Sequence, residues 1–362
     1  MVNSKNILVT GGAGFIGSAF VAQIVKMGHN VIVLDALTYA GHIENLKWIG
    51  EDKFKLIVGS ICDGELVLEI LEDNQIDYVV NFAAESHVDN SINTPYVFVE
   101  TNVIGTHVML EACRNYIKRM PGENRLGFRY LQVSTDEVYG ALKIDDDEVF
   151  TEKSPMRPNS PYSATKAAAD HLVRAWHKTY GLPTIITNCS NNYGPRQYPE
   201  KLIPRMIKRA LTGQTLTVHG DGLSVRDWIH VEDHCQGVYL ALTKGRPGET
   251  YCLGGHSEKT NIYVIERICD ILDQLVPLKD GKSYKEQITF VEDRPGQDRR
   301  YAIDDSKAKK ELRFKHKFNF DSSMEETVKW YLDNQEWINT VTEKLEHDKR
   351  ELKKIIRASW LV

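Results

Sequence analysis

The sequence predicts an α/β protein, a doubly wound parallel sheet of the Rossmann type with a smaller C-terminal α/β lobe. Three observations carry that expectation. Short runs rich in Val, Ile and Leu alternate with longer segments of helical periodicity through the first half. The first such run turns directly into Gly11-Gly12-Ala13-Gly14-Phe15-Ile16-Gly17. After Asn191 the rhythm loosens, and prolines, arginines and aromatic residues become frequent.

Composition sets the outer bounds. A chain of 362 residues has room for two domains and a large core. Hydrophobic residues at 42% and charged residues at 26% give an ordinary globular balance. A net charge of -5 argues against a nucleic-acid or anionic-membrane partner, while leaving room for a local basic pocket. The six cysteines (Cys62, Cys113, Cys189, Cys235, Cys252 and Cys269) are scattered without a C-x-x-C pair. That argues against a metal or disulfide framework and for reduced thiols in a cytoplasmic protein. The amino terminus runs straight into a strand-like segment without an apolar leader, and no run reaches membrane-spanning length.

Asn6 to Thr10 reads as a buried strand, followed by a helix reaching about Met27. Gly12, Gly14 and Gly17 have the dinucleotide spacing; Gly11, Gly14 and Gly17 have a wider variant of it. Such a turn brings a pyrophosphate against the helix amino terminus, with Gly11, Gly14, Phe15, Ile16 and Gly17 lining it. Residues 31–34 form a second strand ending in Asp35. A carboxylate roughly 20 residues beyond the turn accepts bonds from an adenosine ribose and repels a 2′-phosphate, so NAD is expected over NADP.

A third strand, 54–58, precedes Asp63, which either holds the adenine amino group or caps the helix beginning near Gly64. A fourth, 78–82, ends in Ala83-Ala84-Glu85-Ser86-His87, small residues at first, which let the strand end approach a cofactor closely. His87 reads as a loop histidine bonded to backbone in preference to a base. Residues 96–119 have helical periodicity throughout and carry Asn102.

The run 128–133 releases Ser134-Thr135-Asp136-Glu137-Val138-Tyr139-Gly140 at what should be a strand end. Ser-Thr-Asp-Glu could open a helix. Val138, Tyr139 and Gly140 do not continue one, so the stretch reads as site chemistry. Pro155, Pro158 and Pro161 lead into a helix over 162–180, on which Tyr162 and Lys166 share a face. An ammonium there is expected to lower the phenol pKa from near 10. A phenol tuned in this way can take a hydroxyl proton as hydride leaves the same carbon. The acidic run 145–148 reads as a solvated loop rather than a metal site.

Beyond the strand 184–188 lie Asn191 and Asn192, then Lys201-Leu202, Arg226 and Arg294, cations suited to a diphosphate. The helix 231–244 should return to the first lobe. The expected division is 1–190 for the dinucleotide lobe, rejoined by about 228–250, with 191–227 and 251–335 forming the second lobe. Residues 336–362 read as a charged, helical-looking tail without functional signal.

With these residues in view, the chain resembles the extended short-chain dehydrogenase/reductases that act on nucleotide sugars, from the glycine turn to about Tyr331. Thr135-Asp136-Glu137 ahead of Val138-Tyr139-Gly140 is the narrow signature; the glycine turn and Tyr162-x-x-x-Lys166 are shared more widely. The resemblance implies NAD-dependent dehydration of a nucleoside-diphosphate glucose, with deoxythymidine as the first reading and uridine as an alternative. Tyr162, helped by Lys166 and Thr135, would oxidise C4; Glu137 would take the C5 proton; Asp136 would protonate the departing C6 hydroxyl. It also implies cofactor contacts from Asp35, Asp63, Ala83, Asn102, Tyr162, Lys166 and Asn192. Substrate contacts would come from Ser86, Thr135, Asn191, Lys201, Leu202, Arg226, Asn261 and Arg294, and relatives pair the helices near 96–119 and 162–180 into a homodimer. On the nucleotide side Thr217, His219 and Gln297 depart from the pattern.

Two other readings compete. A nucleotide-sugar 4-epimerase needs Tyr162 and Lys166 but has no use for the Asp136–Glu137 pair. A non-enzymatic NAD-binding regulator would keep the fold, but has no reason to keep Thr135, Tyr162 and Lys166 together.

Overall fold

Alternating burial along the strands builds the sheet from the chain upward. Ile7 and Val9 enter one core while Leu8 enters another on the opposite face, the period of two that a sheet covered on both sides requires. The computed structural model describes residues 4–120, 127–293 and 298–343. Its main sheet is formed by β1 (Asn6–Thr10), β2 (Asn30–Asp35), β3 (Lys55–Val58), β4 (Tyr78–Asn81), β5 (Arg129–Thr135), β6 (Thr184–Cys189) and a late strand, Thr250–Leu253. The order is β3-β2-β1-β4-β5-β6 followed by that late strand, and every neighbouring pair is parallel.

Helices close both faces. Phe20, Val21 and Ile24 of α1 (Phe15–Lys26) pack with Val238 and Leu242 on one side. Val67 and Ile70 of α2 (Gly64–Asp73), Met109 and Leu110 of α3 (Thr106–Arg119) and Val173 of α4 (Pro161–Tyr180) cover the other. Truncating a fully buried residue here, such as Leu8→Ala, would cost about 2–5 kcal/mol. The strand order reverses between β1 and β4, and the crevice outside their carboxyl ends is where this architecture binds ligands.

The second lobe is built on β7 (Asn191–Tyr193), α5 (Leu202–Leu211), β8 (Leu216–His219) and β9 (Val225–His230). α6 (Val231–Lys244) and β10 (Thr250–Leu253), the late strand named above, then complete the first lobe. β11 (Glu258–Thr260), α7 (Asn261–Leu275), β12 (Ile288–Val291) and α8 (Phe320–Asp333) finish the second. Its sheets are small, β11-β9-β7 and β12-β8. Its core gathers Ile203, Ile207, Val264, Ile268, Met324 and Val328 between helices.

Three features differ from the expectation. The first lobe reaches past residue 250, because β10 runs to Leu253, and Ala308, Leu312 and Phe314 also join its core. The helix expected over 96–119 is broken: Pro95–Phe98 and α3 flank a π-helical stretch, Val99–Gly105. There the Asn102 side chain is drawn off to three tertiary hydrogen bonds. The described part of the tail is not a loose appendage either. Residues 335–343 are helical, as the sequence suggests, but they pack into the molecule, with Ile338 and Val341 buried.

Candidate active site

At the switch point, Gly11 adopts φ +67°, and a Cβ on it would lie 2.7 Å from the Ala83 amide across the crevice. A Cβ on Gly17 would overlap the Gly11 carbonyl. Only glycine permits this approach of β1, β4 and α1. Gly14 caps α1 without any side chain, and no acidic residue sits in the first turn. The uncapped N–H groups and dipole, with Phe15 and Ile16 as the first helical residues, therefore suit a phosphate group. Asp35 Oδ2 accepts from the Ala13 amide at 2.8 Å and Oδ1 from the Leu37 amide at 2.8 Å. The carboxylate is thereby locked beside the turn, where a carboxylate is placed to meet an adenosine ribose. This pocket fits a dinucleotide.

Three of the expected cofactor residues have structural tasks of their own. Asp63 is the N-cap of α2, accepting from the Leu66 amide at 3.1 Å, so the capping alternative describes it. Asn102 accepts from the Glu85 amide and donates to the Glu85 carbonyl and to Thr165 Oγ1. It fastens the Ala83–His87 loop to α4. Asn192 turns its side chain inward, donating to the Ser190 carbonyl and taking His234 Nδ1 at 2.9 Å. His87 caps a short helix through Nδ1, which accepts from the Asn90 amide, as a loop histidine bonded to backbone would.

The five expected catalytic residues converge. Thr135 ends β5, and Asp136–Tyr139 form a single 3-10 turn. Thr135 caps it, its hydroxyl accepting from the Glu137 amide at 3.3 Å, so the stretch is both cap and site. Thr135 Oγ1 also donates to Asp136 Oδ1 at 3.3 Å, while Asp136 Oδ2 is buried without a partner. Burial, the Glu137 carboxyl and Asp227 hold the Asp136 pKa well above the usual range. Burial raises Glu137 as well, but Arg226 and Lys201 pull it back down. Both carboxyls are thus raised, but unlike neighbours act on them: like charges push Asp136 further up, while cations hold Glu137 back.

Tyr162 stands in the first turn of α4, set by a capping box between Ser160 and Ser163. The expected effect of Lys166 is corrected by the structure. Its Nζ donates to the Val133 carbonyl at 2.8 Å, and burial lowers its own pKa. Burial, Glu137 and Asp136 raise the Tyr162 phenol well above its ordinary value, and a hydrogen bond with Thr135 opposes them. In the protein alone the phenol is a proton holder, and a cation placed beside it is needed to release that proton.

The substrate-side residues form a rim. Lys201 Nζ donates to the Ser86 carbonyl at 3.0 Å, and Leu202 opens α5 directly after it. Arg226 lies over the Tyr301 ring at 4.5 Å and donates to the Asp298 carbonyl. Asn191 Oδ1 is buried without a hydrogen-bond partner, and Asn261 opens α7 beside β9. Arg294 and Gln297 lie outside the described residues. Thr217 accepts from Arg209, and His219 Nδ1 meets the Glu292 carbonyl at 3.3 Å, so both serve the second lobe's own packing.

Sequence reasoning missed a layer beneath this rim. Asp170 Oδ2 accepts from Ser134 Oγ at 2.7 Å and Asn188 Nδ2 at 3.2 Å, and its charge faces Lys166. Asp170 lies four residues after Lys166, so helical spacing could have found it. Asp227 fixes the Gly255 and Ser257 amides at 2.7 Å each, and nothing in the sequence marks it as Asp136's electrostatic neighbour. Among the described residues one trio, His256, Asp305 and His316, brings three metal-type ligands together. The Lys309 ammonium already sits 2.8 Å from Asp305 and from His256 within it.

The fold and this site define a nucleotide-binding oxidoreductase scaffold with an added acid–base pair, and comparison with known proteins agrees. A family profile described as GDP-mannose 4,6 dehydratase matches residues 8–327. The chain belongs to the extended short-chain dehydrogenase/reductase family. Within it, the chain is similar to dTDP-glucose 4,6-dehydratase of Xanthomonas campestris pv. campestris (strain B100), 55% identical over 335 residues, 92% of this chain and 95% of the relative. The enzyme of Escherichia coli K12 is 50% identical over 344 residues, again covering 92% and 95%. The solved dTDP-glucose 4,6-dehydratase of Bacillus anthracis, in complex with NAD, has a TM-score of 0.81 at 45% identity and covers 93% of this chain and 100% of its own. The UDP-glucose 4-epimerase of Thermotoga maritima superposes with a TM-score of 0.80 at 29% identity, covering 91% and 99%. Fold alone does not separate the two chemistries; residues at the site do.

Proposed function

We propose that this protein is a hydro-lyase that converts dTDP-glucose to its 4-keto-6-deoxy sugar with NAD. The observation that carries this reading is the adjacent pair Asp136 and Glu137 at the end of β5, both raised by burial, with Arg226 and Lys201 holding the rise in check at Glu137 while Glu137 and Asp227 add to it at Asp136. An epimerase has no use for it.

NAD, when bound, would supply the hydride acceptor for C4 and, once reduced, the hydride donor for C6. Every other step falls to the chain's own groups. Tyr162, once a cation beside it has released the phenol proton, takes the C4 hydroxyl proton, and Thr135 shares that hydrogen bond. The C4 ketone acidifies C5–H, and Glu137, kept toward its ionised form by Arg226 and Lys201, removes that proton. Asp136, held protonated by burial and by Glu137 and Asp227, gives its proton to the C6 hydroxyl as water leaves, and Glu137 returns its proton to C5 as hydride reaches C6. Lys201 and Arg226 serve the diphosphate side, with Ser86, Asn191, Leu202, Asn261 and Arg294 as further substrate contacts. Gly11, Gly14, Phe15, Ile16, Gly17, Asp35 and Ala83 hold the dinucleotide.

A homodimer fits the exposed apolar face before α3. Ile92, Tyr96, Val97, Val99 and Ile104 are all exposed, Tyr96 at 72%. Exposed apolar residues clustered on one stretch of chain suit an association surface, and Val99 and Ile104 lie on the π-helical stretch that fastens the Ala83–His87 loop. Among the described residues no helix is long and apolar enough to cross a membrane. We read the protein as cytoplasmic from its unpaired cysteines.

Incubation with a panel of deoxythymidine and uridine diphosphate sugars, followed by mass spectrometry, tests the proposal. Loss of one water from dTDP-glucose supports it. Unchanged mass with inverted C4 would support the epimerase instead.

A further inference from the structure

The helix at residues 335–343 touches the cofactor turn through a two-step relay. Trp337 Nε1 donates to Asn45 Oδ1 at 3.0 Å. Asn45 Nδ2 in turn donates to the Ala13 carbonyl at 2.8 Å, in the middle of the glycine turn. The indole is a donor only and the carbonyl an acceptor only, so these partners fix the amide orientation of Asn45 uniquely. Asn45 is buried, and its own carbonyl accepts from Trp48 Nε1 at 2.8 Å.

Ala13 is therefore held from both ends. Its N–H donates to Asp35 Oδ2 at 2.8 Å, and its carbonyl accepts from Asn45 and from the His42 amide at 3.0 Å. One side of the peptide is tied to the carboxylate expected to bind the ribose; the other is tied to the C-terminal helix. The same region is clamped by Arg196, whose guanidinium lies 4.1 Å from the Trp48 ring centre and 5.1 Å from that of Trp330. Trp330 packs against Trp337 at 5.2 Å between ring centres. Tyr198, from the loop leading to Lys201, stacks on His42 and donates to the Val341 carbonyl at 3.5 Å.

We propose that Trp337 and Asn45 are positioning residues for the cofactor: the C-terminal helix sets how tightly the glycine turn retains NAD. The inference rests on reading that turn as the NAD site. Loss of the relay frees the Ala13 carbonyl from one donor and lets the turn relax away from the pyrophosphate. The chemical steps at Tyr162, Glu137 and Asp136 stay unaltered.

The test is the rate at which full-length protein, loaded with labelled NAD, releases it into excess unlabelled NAD. Trp337→Phe keeps the ring packing and removes the N–H. It should release NAD about 2- to 10-fold faster, the size of one neutral hydrogen bond. Asn45→Ala should do so by at least as much. At saturating NAD the kcat of Trp337→Phe should match wild type. Lys208→Met, which removes a bond to Thr342 on the same helix at 3.1 Å, should leave NAD release unchanged. Wild-type release from Trp337→Phe, or equal acceleration in Lys208→Met, would overturn the relay. A wild-type protein that takes up no NAD would overturn the reading of the turn itself.

Discussion

The hydroxyl of Thr135 donates to Asp136 Oδ1 across 3.3 Å and leaves Oδ2 buried and unpartnered. An ionised carboxylate in that position would be costly, since a buried acceptor without a donor forfeits its hydration. A protonated one is not: its O–H can point from Oδ2 toward a substrate hydroxyl. The arrangement stores the proton that the elimination consumes.

A bell-shaped dependence of kcat/KM on pH follows. Glu137 acts ionised, and its pKa is raised above the usual value of about 4.3. The rate therefore falls as pH drops through that raised pKa. Asp136 acts protonated with a pKa raised much further, so the rate falls again as pH climbs through it. Glu137→Gln should remove the acid limb and lower the rate about 10²–10⁴-fold. Persistence of the acid limb in that variant would assign it to another group.

Tyr162→Phe should stop the reaction before any NADH absorbance appears, since the C4 proton then has no acceptor. Glu137→Gln should still form NADH on adding substrate, because C4 oxidation precedes its step. Rapid absorbance measurement on both variants separates the two halves of the mechanism. NADH formation by Tyr162→Phe at the wild-type rate would remove Tyr162 from its role.

Much of this site was legible in the chain because its signals are local. The glycine turn, Asp35, the Thr135–Glu137 stretch and the Tyr162–Lys166 spacing are each set by neighbours a few residues away. The parallel strands were equally legible, with Asn6–Thr10 found to the residue. What escaped was decided by tertiary partners. The π-helical stretch exists because Asn102 reaches Glu85 and Thr165, which no periodicity reveals. Lys166 meets the Val133 carbonyl rather than lowering the phenol, a consequence of how α4 docks on β5. The helix at 335–343 hides its buried Ile338 and Val341 within a charged sequence.

Acid should destabilise the fold through its histidines. Burial lowers the His234 pKa to about 3 and that of His230 to about 4. Both are neutral in the fold, whereas in the unfolded chain they protonate near 6.5. As pH falls from about 6.5 toward about 3, the unfolded state takes up protons that the fold refuses, and stability is lost over that window. His234→Gln keeps a donor for Asn192 without titrating. Urea unfolding at pH 7 and pH 5 should show a smaller loss for this variant than for wild type; an equal loss would contradict the assignment.

Charge placed on the exposed apolar face should prevent pairing. Tyr96→Asp combined with Ile104→Asp is predicted to run as a monomer by light scattering at micromolar concentration, where wild type runs as a dimer. Both positions are exposed in the isolated chain, so the thermal midpoint of the monomer should fall only modestly. A wild-type protein that is itself monomeric would refute the homodimer.

The most direct test follows one hydrogen. dTDP-glucose deuterated at C4 is incubated with the enzyme and its NAD, and the product is examined by mass spectrometry and NMR. C4 oxidation, elimination by Glu137 and Asp136, and hydride return predict a product lighter by one water, with the deuterium now on C6. Deuterium remaining on C4 of a sugar of unchanged mass would contradict the account.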